Sequence, residues 1–484
     1  MKSSVKPTLI AAAVASVLGT GAAYALAPNA NINYTFYAGG GSAQVNAVVW
    51  AATQNMVAGT IDSYSDAGSK DSSAYRIISG TTSTAIGSGA AAIPAGSNIL
   101  FFYKFNGGSF PNGVQPQLGS GANLVYPPVS SVTAATATGN AYPLPTYSIS
   151  ASGETDGHVP DWGITDVEVS LFNFADNLNG VAQLTSAQVN AIAQDGIYDN
   201  LFGVAVSNAL YNGTHPKTSF TKQEVAGILK GQFTDWSQLF ADDGTALSAG
   251  PVLLLDRGSG SGTKAAGNQY FLNYPGGIAT SGSVAPGSVT SATVNSYTGT
   301  VLSLTSTSYQ DVKEASSTAI VNDLQAANAA GKRAIAVLGL EFPPALYQGS
   351  AGTNQYSFVA INGVGPDTGT SSDNINGTVA TKYTNVITGK YDFFYQNSLN
   401  TRSGFLTNGT VNASWTNALK NNFQSPNISG CHSASGVSGL LLDPKIIGSL
   451  QTGVVTGTRQ KHSTAPLQPW FDATTASVSC SDGL

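Results

Sequence analysis

The residues with the greatest capacity for chemistry lie in one ten-residue run, Leu255-Asp-Arg-Gly-Ser-Gly-Ser-Gly-Thr-Lys264. Its glycines let backbone N–H groups approach a ligand closely, and Ser261 and Thr263 add hydroxyl donors. A helix predicted over Lys264 to about Leu272 turns its positive end toward the same place. Arg257 contributes a planar, permanently charged fork that matches an oxyanion. Together these groups form an anion nest. The Walker lysine spacing is absent, so the run is not a nucleotide P-loop. Elsewhere the reactive residue types are sparse. His158, His215, His432 and His462 have no metal-ligand spacing, and Cys431-His432 is adjacent but lacks companions. No spacing suggests a two-metal cluster or a Ser-His-Asp arrangement, so the residues give a phosphoester hydrolase no support, and neither an enzyme nor a cofactor is expected.

The elements around the nest alternate between strand and helix. Pro251 to Asp256 reads as a buried strand leading into it. Upstream, Thr185 and Gln188 have capping-box spacing, with Val189, Ile192 and Ala193 as an apolar stripe, so a helix is predicted to end at Gly196. A buried strand follows at about Leu201 to Val206. Thr221 and Glu224 repeat the capping-box spacing before Val225, Ile228 and Leu229, and Gly231 stands at the C-cap. Downstream the pattern predicts a helix over Thr318 to Ala329, then strands at Ala334 to Leu338, Tyr356 to Ile361 and Tyr391 to Tyr395. This is α/β alternation. Three polar segments, roughly Gly59 to Gly96, Ala279 to Ser308 and Gly363 to Thr381, read as surface hairpins or long loops.

Compartment follows from the N-terminus. Lys2 and Lys6 precede an apolar run from Leu9 to Leu18, and Ala23-Tyr24-Ala25 offers an A-x-A cleavage site, so residues 1–25 are predicted to be a secretory signal peptide. The run is too short to span a bilayer, and no stable membrane insertion is expected after cleavage. The net charge of −6 becomes −8 once Lys2 and Lys6 are removed, which disfavours a nucleic-acid partner. Charged residues are 10% and apolar ones 42% of the 484 residues, enough to bury a core beneath a neutral polar surface and too long for one ordinary domain. The only cysteines, Cys431 and Cys480, are expected to pair in an oxidising compartment. Closing that loop would stabilise the fold by about 4 kcal/mol through the unfolded chain.

With its surroundings, the nest resembles the ligand loop of the phosphate-binding subunit of the phosphate ABC transporter, the PstS family. Arg257-Gly-Ser-Gly-Ser-Gly-Thr263 stands against that family's Arg-x-Asp-Gly-Ser-Gly-Thr, matching at Arg257, Ser261, Gly262 and Thr263. In matching order upstream come Gly231-Gln-Phe-Thr-Asp-Trp-Ser237, Gly163-Ile-Thr-Asp166, Phe105-Asn-Gly-Gly-Ser109 followed by Gly113-Val114, and Gly39-Gly-Gly-Ser42. Ala43-Gln44 replaces the family's aromatic-proline pair, and Ser259 stands where the family has an aspartate beside the arginine.

The resemblance implies a two-lobed type II periplasmic-binding-protein fold with a ligand cleft between lobes. Lobe one would comprise residues 26–205 and 357–484, and lobe two residues 206–356. The implied phosphate ligands are Ser42, Ser109 and Asp166 from lobe one and Arg257, Ser261, Gly262 and Thr263 from lobe two. Asp166 bears on the choice of anion. An ionised carboxylate only accepts hydrogen bonds, so it would admit a phosphate that carries a proton and repel sulfate, which does not. The implied role is an exported solute-binding protein for phosphate acquisition, periplasmic, secreted or at the cell surface, with an ABC permease as the further partner. The alternative is a secreted or cell-surface scaffold or adhesive protein built on the same fold.

Overall fold

The computed structural model describes residues 31–423 apart from 66–73, 119–122, 133–145, 149–154, 173–176, 179–181, 275–301, 372, 378–382 and 388, together with Leu440 and Leu441. The signal peptide, both cysteines and most of the second polar segment lie outside the described residues.

A 14-stranded sheet organises the chain. Eleven of its strands run in the order Gln310–Glu314, Leu253–Arg257, Ala334–Gly339, Ile192–Ser207, Phe394–Arg402, Trp162–Thr165, Tyr34–Gly40, Asn98–Lys104, Tyr75–Thr81, Asp62–Ser65 and Thr146–Ser148, and Ser219–Phe220, Tyr356–Ile361 and Leu440–Leu441 pair off this path. At one end, Leu253–Arg257 is parallel to both Gln310–Glu314 and Ala334–Gly339. At the other, Tyr34–Gly40 is parallel to Asn98–Lys104 and to Trp162–Thr165. The antiparallel strand Ile192–Ser207 joins the two halves. Its first part pairs with Phe394–Arg402 and its last with Ala334–Gly339 and Tyr356–Ile361. Two parallel α/β halves joined by crossing strands are the two-lobed periplasmic-binding-protein architecture.

Burial on both faces explains the apolar runs of the central strands. Leu254, Leu255, Val312, Ile335 and Leu338 pack with Ile320 and Leu324 of the helix Ser317–Ala329. In the other half Phe36, Val48, Ile99, Phe101, Trp162 and Trp415 form a separate core, with Phe36 stacked on Trp415 at 5.1 Å.

The capping boxes at Thr185 and Thr221 are both formed, each with its two reciprocal hydrogen bonds. The second opens the helix Lys222–Leu229, and Gly231 has φ of 65°, a left-handed value that suits glycine. The first helix is shorter than its sequence pattern. It spans Ser186–Ala191, and Ile192, Ala193 and Gly196 belong to the crossing strand. Pairing with Phe394–Arg402 outweighs the local helical signal, and a Cβ at Gly196 would meet the Gln396 side chain at 2.2 Å. The strand expected at Tyr391 to Tyr395 starts later, at Phe394. The first polar segment contains an antiparallel strand pair, Asp62–Ser65 with Tyr75–Thr81, but it extends the sheet and is not at the surface, since every residue of Asp62–Ser65 is buried.

Candidate anion-binding site

Carboxyl ends of parallel strands converge on one cleft, where open α/β sheets place ligands. Gly41 follows Tyr34–Gly40, the Phe105 to Ser109 turn follows Asn98–Lys104, Asp166 follows Trp162–Thr165, and Arg257 ends Leu253–Arg257.

Asp166 is at the centre and only 2% exposed. Ser109 Oγ donates to its Oδ2 at 2.8 Å and Asn200 Nδ2 to its Oδ1 at 3.1 Å, and Gln44 Nε2 donates to Oδ1 as well. Burial pushes its carboxyl up from the ordinary carboxylate range, against the opposing pull of Ser109, the Arg257 guanidinium, Gln44 and Asn200. Ser109 begins the short helix Ser109–Gly113 and is itself buried. Gln44 ends the turn Ser42–Gln44, where Ser42 is half-buried. The first loop therefore reaches the carboxylate through Gln44, and the resemblance had named Ser42.

The facing wall is the nest. Ser261 caps the helix Gly262–Leu272, its Oγ accepting from Lys264 N–H at 3.4 Å, and Ser261, Gly262 and Thr263 are all buried. Gly262 lies directly on Asp166, since a Cβ added there would come within 2.0 Å of Oδ2. The preceding turn touches the opposite wall, with Phe110 N–H donating to the Gly260 carbonyl at 2.9 Å. Gly108, with φ of 103°, allows this approach, because a Cβ on it would meet that carbonyl at 2.7 Å. Ser109, Asp166, Arg257, Ser261, Gly262 and Thr263 thus lie in or around one contact between the two halves, and Gly41, next to Ser42, borders it, since a Cβ there would come within 2.3 Å of Ser109 Oγ.

Arg257 is 4% exposed and held from behind. Its guanidinium donates to Ser317 Oγ at 2.7 Å and to the Ala315 carbonyl at 3.0 Å. These contacts fix the fork that the family pattern fixes with an aspartate, at the position where this chain has Ser259. Next to it, Asp256 accepts from both Lys264 and Lys313, and Lys313 also donates to Asp311 at 2.7 Å. The two ammonium groups hold the Asp256 carboxyl well below the usual carboxylate range despite its burial.

Gln44, Asn200 and Glu341 were absent from the sequence-derived set. Gln44 had a weak signal, as the residue in place of the family's proline. Asn200 and Glu341 had only that of a polar residue beside a buried apolar run.

Residues 170–404 match the family model described as PBP superfamily domain. The match includes Arg257 to Thr263 and begins just after Asp166. Among solved structures, the chain is similar to a phosphate-binding protein from Stenotrophomonas maltophilia at 13% identity, with 80% of this chain and 90% of that chain covered and a TM-score of 0.31. It is also similar to PstS from Borrelia burgdorferi at 12% identity, with 53% and 76% covered and a TM-score of 0.26. No curated protein matches the chain in sequence.

Proposed function

We propose that this protein binds inorganic phosphate in the cleft between its lobes and performs no covalent chemistry. The observation that carries the reading is the pairing of opposites across the cleft. A buried acceptor, Asp166, faces a glycine-rich helix N-terminus with the buried cation Arg257 beside it. Backbone N–H groups, hydroxyls and a guanidinium can receive the anionic oxygens, while the carboxylate can receive only a protonated one. Ser42, Ser109, Asp166, Arg257, Ser261, Gly262 and Thr263 are the proposed ligands, with Gln44 donating to Asp166 from the same loop as Ser42. The lobes are proposed as residues 26–205 with 357–484, and 206–356. Export through the signal peptide, the Cys431–Cys480 disulfide, periplasmic or extracellular residence and delivery to an ABC permease belong to the same proposal. Among the described residues no helix is long and apolar enough to cross a membrane.

One observation favours the scaffold alternative. Gln44, Ser109 and Asn200 already engage Asp166, and Ser317 and Ala315 already engage Arg257, so these two charged groups are held by the protein itself. Titration calorimetry of the purified chain with phosphate, sulfate and arsenate separates the two. Phosphate is expected to bind at one site per chain, and Arg257→Ala to weaken it by tens to thousands of fold, from the roughly 2–5 kcal/mol lost when a charge-assisted contact leaves a buried charge unpaired. Phosphate affinity within a factor of two of wild type in Arg257→Ala would rule out this cleft as the site, and no heat with any of the three anions would favour the scaffold.

A further inference from the structure

A second carboxyl stands at the same rim. Glu341 lies two residues beyond the strand Ala334–Gly339, whose parallel neighbour ends in Arg257, so both occupy the carboxyl edge of the sheet. The chain is pinned there by Leu340 N–H, which donates to the Leu201 carbonyl of the crossing strand at 2.9 Å. The side chain folds back over Gly339, where a Cβ would collide with its Oε2. It is 5% exposed, and among the described residues neither carboxyl oxygen receives a hydrogen bond from another residue. The charged and titratable groups acting on it are Asp166 from the turn after Trp162–Thr165, Arg257 from the neighbouring strand, and Tyr198 from the crossing strand.

A buried carboxylate with no partner beyond its own backbone N–H is costly, whereas the neutral acid is far less so. Arg257 and Asp166 face Glu341 with opposite charges. Ionising Glu341 adds a negative charge beside them, and neutralising it removes that charge. We propose that Glu341 is a charge-setting residue of the anion cleft, admitting an oxyanion while its carboxyl holds a proton and opposing it once that proton is lost. Burial, with Asp166 adding to it, pushes the Glu341 carboxyl up to about 8, against the pull of its own backbone N–H and of Arg257. The sign follows. Below that range the acid is neutral and the anion is retained; as pH rises through it the carboxyl ionises and the anion is released. By linkage, binding an anion draws a proton onto Glu341.

The inference rests on the phosphate reading, and the test keeps the two apart. Phosphate affinity is measured by calorimetry from pH 6.5 to 9.5 for wild type, Glu341→Gln and Glu341→Ala. Glutamine mimics the neutral acid, and titration of phosphate itself cancels in the ratio of variant to wild type. The ratio of Glu341→Gln to wild-type affinity is expected to stay near one at pH 6.5 and to rise about tenfold by pH 9.5. Wild type at pH 8 is expected to take up a fraction of a proton more per phosphate than Glu341→Gln, read from the dependence of the binding heat on buffer ionisation. Glu341→Ala, which also lacks the titrating carboxyl, supplies the same reference for the affinity ratio and the proton balance should Glu341→Gln fail to fold. A flat ratio and equal proton uptake, with phosphate still bound, overturns the role of Glu341 and leaves the phosphate reading standing. Absence of phosphate binding by wild type at every pH overturns both.

Discussion

Asp166 is buried and ringed by three donors, an environment that stabilises an acceptor and gives it neighbours able to rotate toward a ligand. Asparagine at this position keeps the shape but adds an N–H donor. Asp166→Asn is therefore expected to weaken phosphate binding while sulfate gains. An unpaired buried charge facing sulfate costs several kcal/mol, so the preference between the two anions is expected to shrink by about a hundredfold or more, checked by competition calorimetry. Retained rejection of sulfate in Asp166→Asn would place the selectivity elsewhere. Gln44 shows how a single residue escapes a motif. The resemblance points to Ser42 as a phosphate ligand because the pattern aligns there, and it says nothing of the side chain two residues on, which reaches the carboxylate. Glu341 was equally illegible, because a lone glutamate after a buried strand has no local sign of what faces it.

At the scale of elements, the helix Gly262–Leu272 is the part that closes on the opposite wall. Glycine at its first position has no conformational reason to be there, since its φ is not left-handed; the reason is the space taken by Asp166. Gly262→Ala is expected to prevent closure and lower phosphate affinity by at least tenfold, while the urea midpoint without ligand changes little, because the clash exists only where the halves meet. A large fall in that midpoint would mean that the glycine serves folding instead. Behind the loop, Lys313 holds both Asp256 and Asp311 in a largely buried network. Lys313→Met leaves two carboxylates with one remaining ammonium, Lys264, and is expected to cost about 3 kcal/mol in urea unfolding. The pH sign is opposite to that of Glu341. The depressed Asp256 carboxyl contributes stability above the ordinary aspartate range that is lost only as pH falls through its lower folded value, so the wild-type advantage over Lys313→Met should shrink toward strong acid.

For the molecule as a whole, the legible parts were those written within a turn or two of chain. The capping boxes at Thr185 and Thr221, the apolar strand before Arg257 and the glycine nest needed no distant partner to be read. The crossing strand did. Ile192, Ala193 and Gly196 continue a helical pattern, and only Phe394–Arg402, some two hundred residues away, makes them strand. The strands at Asp62 and Tyr75 were hidden for the same reason, because a Ser- and Gly-rich segment becomes a buried sheet edge only once Asn98–Lys104 lies beside it. The central claim, that one phosphate is held by both halves, is a claim about shape. A ligand bridging the lobes selects the closed state and stabilises only the native chain, by about 2.7 kcal/mol at a hundred times its dissociation constant. Small-angle scattering of the purified protein, without anion and at saturating phosphate or sulfate, measures this directly. The account predicts that the radius of gyration falls with phosphate and is unchanged by sulfate; an identical radius in all three solutions at millimolar phosphate would contradict it.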